Sequence, residues 1–415
     1  MSFGAHAEGG VETPIPPLLF LLGVAAVAAT MRAPLTGVGP LIPSIQADTG
    51  ISSTAAGFLG TLPLLAFAGT SPFVRSASQR VGTRRALIGA LSVVAVGTLV
   101  RSLPGIGFLF AGTVLLAIGI AFCNVLLPSI IKATVPAERI GRVTGFYVTV
   151  MGLLAAIASG VAVPIGDALD GSWRASLAVW ALPAVIALVL SVASRFAARA
   201  NRPPAAGAHS PRSVWSSKLA WQVSIFMGLQ SIVFYAVISW LPSIVAERGV
   251  GEQIAGWQLT AFQVAGLITS TAVPILTRRL PDQSAVAVIA SLTCGAGLAV
   301  LLLFPSMSWL AVTLIGLGGG ASLVLALSFQ SLRAHDAASA GALAGMAQTV
   351  GYLLAAAAPL ALGLLRDLSG SWRLSLTVMV TLTMVQAVFG HRAGRDRHLS
   401  PPIDAEHLPT KGTPA

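Results

Sequence analysis

In the stretch "MRAPLTGVGPLIPSI", Arg32 is a lone cation inside an apolar run long enough to cross a hydrocarbon core. A cation at that depth costs roughly 2.5 to 3.5 kcal/mol on insertion scales, so by default it marks a functional site. The 14 Asp and Glu all fall in predicted loops and tails, which leaves no carboxylate at that depth to neutralise it. The planar guanidinium fork suits a small anion, or an electron-rich group such as carboxylate or nitro. Pro34, Pro40 and Pro43 compete for the same side chain, because each removes a backbone donor and frees carbonyls near residues 30, 36 and 39 that Arg32 could satisfy. Gly37 and Gly39 in this broken stretch let the backbone approach a ligand closely. Asn124, Gln230, Ser231, Tyr235, Gln263, Gln348 and Tyr352 supply the remaining polar groups at membrane depth. Ser231 with Tyr235, and Gln348 with Tyr352, are spaced by four and share a helix face. All seven are candidates for substrate contact, and hydrogen-bonding glue between helices is the competing role.

The elements that must position these residues are membrane helices. Hydrophobic residues make up 55% of the 415-residue chain and charged residues 9%, with a mean hydropathy of +0.84. A soluble domain carries about 25% charge. Apolar runs of about 20 residues recur along the chain, each enough for a hydrocarbon core of roughly 30 Å. They predict helices over 17–45, 53–75, 84–103, 106–132, 140–166, 173–198, 218–246, 253–279, 284–304, 308–333, 339–366 and 372–391. The expected fold is therefore an all-α membrane protein with twelve transmembrane helices. Of the 25 Lys and Arg, only Arg101, Arg174, Arg248, Arg366 and Arg373 fall in the loops on one side, Arg32 is in the membrane, and the remaining 19 are on the other side. Basic loops stay inside, so both termini are expected in the cytoplasm, with the protein in a bacterial inner membrane. Residues 1–16 hold no Lys or Arg and read as a short cytoplasmic tail rather than a cleaved signal peptide.

The chain repeats itself. "DGSWRASL" (170–177) returns as "SGSWRLSL" (369–376), with Trp173 and Trp372 separated by 199 positions. The same shift lays "IPSIQADTGI" on "LPSIVAERGV", Gly57 and Thr61 on Gly256 and Thr260, Gly119 on Gly318, and Gly152 on Gly351. The expected organisation is a six-helix half over 17–198, a cytoplasmic linker over 199–217, a second half over 218–391, and a C-terminal tail over 392–415. The register maps Arg32 onto Ser231, which brings the seventh helix to the same midplane cavity from the opposite half.

Two parallel six-helix repeats resemble the major facilitator superfamily, whose members rock one half against the other around a midplane site. "RSASQRVGTRR" (75–85) is similar to the superfamily's loop motif G-x-x-x-D-R-x-G-x-R-R, through Arg80, Gly82, Arg84 and Arg85. Arg75 and Gln79 replace the Gly and Asp, so the usual charge pairing at the inner gate is in question. "MRAPLTGVGPLIPSI", "MGLQSIVFYAVISWLPSI" and the segment 333–372 resemble the cyanate and 2-nitroimidazole transporter family more closely. The resemblance implies a secondary transporter for a small anionic or electron-rich solute by alternating access. Arg80, Gly82, Arg84 and Arg85 would then serve the inner gate; Trp240 lies further out along the seventh helix, at a depth where it could close the outer one.

Other classes fit less well. Multidrug efflux is the alternative, yet "GLLAAIASGVAVPIG" only loosely echoes its fifth-helix motif. A polytopic membrane enzyme or sensor needs a catalytic cluster or an extramembrane domain, and neither is visible. No phosphate-binding G-x-x-x-x-G-K-[ST] stretch occurs, which argues against a nucleotide-driven pump. "GLGGGA" (316–321) lies within a predicted helix with no preceding strand and reads as a close helix contact. No cofactor or metal is expected, and Cys123 and Cys294 read as core residues. The net charge of +11 reflects loop topology and contact with anionic lipids rather than nucleic-acid binding. The expected partners are a small-molecule substrate and membrane lipids, and a monomer is the expected state. Any coupled proton would travel with the substrate or on an acid at a loop edge.

Overall fold

A computed structural model of the chain describes residues 17–193, 212–277, 280, 282–334 and 337–399. The predicted tail 1–16 and most of the linker lie outside them. Among the described residues there is no strand, and twelve helices are long and apolar enough to span a bilayer. Such composition in lipid leaves the backbone no other partner than itself.

The first span is a broken rod: α1 (Pro17–Thr36), a 3-10 turn (Gly39–Leu41) and α2 (Ile42–Thr49). The sequence predicts one helix there, and the break follows from Pro40 and Pro43, which cannot donate into the ladder. Spans two to five are α3 (Ser53–Val81), α4 (Thr83–Val100), α5 (Ile106–Thr134) and α6 (Ala137–Ala168). The second runs six residues past its predicted end, because "SASQRV" contains no helix breaker before Gly82 takes φ 87°. The sixth is α7 (Trp173–Val179) followed by α8 (Ala181–Ala193). A short α9 (Arg212–Trp215) precedes α10 (Lys218–Ala246), α11 (Glu252–Thr277), α12 (Ser284–Leu303), α13 (Ser308–Leu332), α14 (Ala337–Ser369) and α15 (Arg373–Gly394). Serines fix three starts: Ser52, Ser172 and Ser217 accept from the backbone N–H of Ala55, Ala175 and Ala220.

Twelve crossings return the chain to the end where it began, here called the terminal end; the opposite one is the far end. Within the first six spans α1 packs on α6 and α8, and α5 on α3 and α4. Within the last six, α10 packs on α14 and α15, α13 on α11 and α12, and α12 on α15. The two sets meet through α3 against α14 and α6 against α11. The stretch "GLGGGA" is a close contact as expected: a Cβ on Gly316 would lie 2.3 Å from the Phe262 carbonyl oxygen, and one on Gly320 2.0 Å from that of Gly266. Only glycine lets α13 approach α11 so closely. Trp173 and Trp372 are both buried, at the first turn of α7 and the N-cap of α15, and Ser176 and Ser375 donate to Ala162 O and Leu362 O. Those serines are 199 apart in sequence. Cys123 and Cys294 are both buried in helices, as expected.

Candidate functional site

Between the two sets of spans lies a cavity of about 480 Å³. Arg32, Asn124, Tyr235, Gln348 and Tyr352 line it, with Phe67, Tyr147 and Phe234 supplying aromatic faces and Met31, Leu35 and Met151 apolar ones. Five of the eight predicted binding residues therefore share one chamber. The other three are not in its wall. Gln230 donates to the Met227 carbonyl and to Ser231 Oγ, which itself donates to Met227 O, so this pair is bound up within α10. Gln263 donates to Ser159 Oγ at 2.7 Å and to Ala155 O at 3.2 Å, pinning α11 to α6. The repeat register predicts that residue 231 reaches the midplane cavity; its hydroxyl is spent on Met227 O, and the cavity wall begins one turn further along α10 with Phe234 and Tyr235.

Arg32 sits one turn before the end of α1 and is half-buried. Its guanidinium lies 5.1 Å from the Phe234 ring centroid, a cation–π contact from the first span to the seventh. No hydrogen bond or ion pair ties it to any described residue. No Asp or Glu lines the cavity. Such an arrangement leaves the N–H edge free for a ligand while the ring faces the cation. Gln348 Oε1, buried and without a donor, is a second open valence in the same wall.

Of the carbonyls near residues 30, 36 and 39, Gly39 O accepts the Ile42 N–H and Thr36 O a serine hydroxyl, and Arg32 donates to none of the three. Pro34 O accepts Arg101 Nη1 at 2.7 Å, and Thr36 O accepts Ser159 Oγ at 3.2 Å. The sequence groups Arg101 with the loop cations, yet it is fully buried against Pro34 O and Leu177 O, and it lines the same cavity. A basic residue right after a helix of the length needed to span gives no sequence sign that it folds inward. Arg333, at the end of α13, is a second such residue. Its buried guanidinium donates to Ala393 O and Gly394 O, tying the end of α13 to α15, and burial lowers its pKa while Asp396 and Asp282 oppose the shift.

The far end is closed by ties across the two sets. Asp367, near the end of α14, accepts the Ser53 and Thr54 N–H groups at 3.2 and 2.8 Å and the Thr54 hydroxyl at 2.6 Å. A carboxylate on one set thus caps the first turn of α3 on the other. Ser44 Oγ donates to Glu252 Oε2 at 2.7 Å, Thr61 Oγ1 to Ala356 O at 2.7 Å and Thr260 Oγ1 to Ala156 O at 2.8 Å. Gly39 makes the closest approach: a Cβ there would lie 2.2 Å from the Ile238 carbonyl oxygen. Asn124, toward the terminal end of α5, is exposed in the cavity wall.

Of the predicted gate residues, Trp240 is not in the cavity wall. Its Nε1 donates to Pro359 O at 2.9 Å and its ring lies 4.8 Å from that of Trp372, so it holds α10, α14 and α15 together. Arg84 donates to Val192 O at 2.7 Å, capping the end of α8, while Arg80 and Arg85 are exposed and Gly82 makes the turn between α3 and α4. The Arg84 bond thus ties α4 to α8 within the first six spans.

The Major Facilitator Superfamily model matches residues 18–359. The chain is 39% identical to an uncharacterized transporter of Bacillus subtilis (strain 168), over 91% of this chain and 94% of that one. It is 37% identical to the 2-nitroimidazole transporter of Escherichia coli (strain K12), over 92% and 97%. With the cyanate transport protein of the same strain it shares 29% identity over 85% and 91%. In fold it is similar to the crystal structure of a bacterial homolog to the human lysosomal transporter Spinster in an inward-facing, unoccupied conformation, with a TM-score of 0.77 over 92% of this chain and 98% of that one, at 15% identity.

Proposed function

Because this chain belongs to the major facilitator superfamily, among relatives of the nitroimidazole and cyanate transporters, we propose that it carries a small, planar, anionic or electron-rich solute by alternating access, with Arg32 as the binding cation. It is a multi-pass membrane transporter and not an enzyme. The observation that carries the reading is the Arg32 guanidinium: half-buried, backed by Phe234, and facing a chamber whose wall holds no carboxylate. A cation without a counter-charge in a low-dielectric chamber attracts anions more strongly than one in water. A chamber of about 480 Å³ is within the usual range for small-molecule sites. Tyr235, Tyr352, Asn124 and Gln348 would then fix the orientation of the solute.

In this reading the two six-helix halves, 17–198 and 218–391, rock about the cavity. The terminal end faces the cytoplasm, as the bias of basic loops suggests. The tested prediction is ligand-dependent stabilisation, since only a binder of the folded state raises the melting temperature. Purified protein is screened against cyanate, nitrite, small carboxylates and 2-nitroimidazole, and hits are carried into proteoliposome uptake. Stabilisation by at least one of these in wild type and its loss in Arg32→Gln is the expected result. Stabilisation only by bulky neutral or cationic drugs would replace this reading with drug efflux.

A further inference from the structure

Arg101 does more than the break in the first span requires. It follows α4 directly and turns inward, so that Nη1 meets Pro34 O at 2.7 Å and Nη2 meets Leu177 O at 3.5 Å. Both partners are neutral carbonyls. Nε has no partner at all, although the side chain is fully buried. Taking a charge out of water is costly, and carbonyl dipoles offset only part of that cost. Capping one freed carbonyl needs a donor and no net charge, which a serine or glutamine could supply. Ser159 does this for Thr36 O two residues further along. A full positive charge at Pro34 therefore has an effect beyond the cap. Arg101 and Thr113 belong to the wall of the same chamber that Arg32 lines, toward the far end. The chamber thus has two arginines and no carboxylate.

We propose that Arg101 is a second selectivity-determining cation of the cavity, which raises the concentration of anions along the far part of the solute's path. This inference rests on the reading of the solute as anionic or electron-rich. Arg32 supplies the contact at mid-depth, and Arg101 supplies a positive potential beyond it, ahead of the closed Gly39–Ile238 approach. A fixed charge within a chamber of this size favours a monovalent anion over its neutral analogue by roughly tenfold at an effective dielectric of about 20.

The test reads the potential of the chamber without needing the natural solute. Asn124→Cys is made in a full-length background with Cys123→Ala and Cys294→Ala, and its modification rates are measured with an anionic and a cationic methanethiosulfonate of similar size. The ratio of anionic to cationic rate is expected to fall at least about threefold in Arg101→Gln and to recover in Arg101→Lys. Arg32→Gln is measured in parallel, so the two claims fail separately. A fall with Arg32→Gln and none with Arg101→Gln overturns the present inference and leaves the proposed site standing. A fall with Arg101→Gln alone overturns the role given to Arg32, and no change in either sinks both. Should Arg101→Gln fail to fold, Arg101→His makes the charge titratable. The ratio should then drop as pH rises from 5.5 to 8, beyond the drift of the parent, and a flat difference overturns the proposal.

Discussion

Replacing Arg32 separates a ligand-binding cation from a structural one, because the structure gives it no structural hydrogen bond to lose. Arg101 and Ser159 already satisfy the carbonyls of the broken helix. What Arg32 has within the protein is the ring of Phe234 at 5.1 Å, a contact of about 1 to 2 kcal/mol when partly desolvated. Against it stands a burial cost of roughly 2.5 to 3.5 kcal/mol for a cation at the helix centre. The cost exceeds the contact by about 0.5 to 2.5 kcal/mol, so Arg32→Gln should raise the melting temperature of the ligand-free protein or leave it unchanged. Binding behaves differently. Hydrogen bonds to a charged group contribute about 1.5 to 3 kcal/mol each, so losing one such interaction weakens binding by about 10- to 150-fold. Arg32→Lys keeps the charge but loses the paired donors and the flat stack on Phe234, and should recover about half of that free energy. Isothermal titration with a ligand found in the stabilisation screen, alongside thermal melts of the same preparations, gives both quantities. Unchanged affinity in folded Arg32→Gln, or a large fall in melting temperature with affinity intact, would refute the reasoning.

Three further outcomes follow from other contacts. Asp367→Ala removes the carboxylate that caps α3 from the opposite set of spans, a loss of about 1 kcal/mol for a helix cap, and should favour far-end opening. A cysteine replacing Thr61, now 4% exposed, should then react faster with a reagent added from the far side, and an unchanged rate counts against the latch. Gly39→Val places a Cβ where only 2.2 Å separates it from the Ile238 carbonyl oxygen, so uptake should fall more than tenfold with helicity by circular dichroism retained. Asp282 accepts the Ser284 N–H at 2.7 Å, and hydrogen bonds from Ser284 hold its carboxyl below the ordinary value of 3.8. Its contribution is present above the unfolded pKa of about 3.9 and lost as pH falls through the lower folded value, so the wild-type melting temperature should drop more steeply than that of Asp282→Asn below about pH 4.

The spans were legible because lipid leaves few alternatives. Runs of apolar residues, ended by Gly50, Gly82 and the "GSW" corners, mark most helix limits to within a few positions, and α10 matches its predicted 218–246 at both ends. The chamber was legible in part. Hydrophobic segments contain few polar side chains, so Arg32, Tyr235, Gln348 and Tyr352 were conspicuous. Which way each one faces depends on helix rotation, which an apolar segment without a polar face does not encode. Nor does it encode depth or local bonding: Ser231 shares a face with Tyr235, yet its hydroxyl and the Gln230 amide are spent on Met227 O, and only Phe234 and Tyr235, a turn later, line the cavity. Trp240 was assigned by depth alone, and the Pro359 carbonyl that holds its ring belongs to another helix more than a hundred residues away.

The near-symmetry of the chain sharpens the argument for charge at the centre. A 199-residue repeat tends to place matching residues around the cavity, yet position 32 is arginine and its counterpart 231 is serine. The chamber is therefore electrically lopsided, with Arg32 and Arg101 both on the first six spans, while Phe234, Tyr235 and Tyr352 line it from α10 and α14, and Phe67 and Tyr147 from α3 and α6. Position 101 shows the same imbalance, since the register aligns it with Val300. A solute held between the halves would meet cations on one side and the faces of Phe234, Tyr235 and Tyr352 on the other. That pairing suits a flat molecule whose electron-rich edge turns toward the first half and whose face lies against the second. If the halves separate at the far end, the Arg32–Phe234 contact must loosen, because it joins the two sets. A bound anion compensates the cation as the ring withdraws. The empty carrier has no such substitute, so its reorientation should be the slower one, and exchange of solute across the membrane should outpace net uptake.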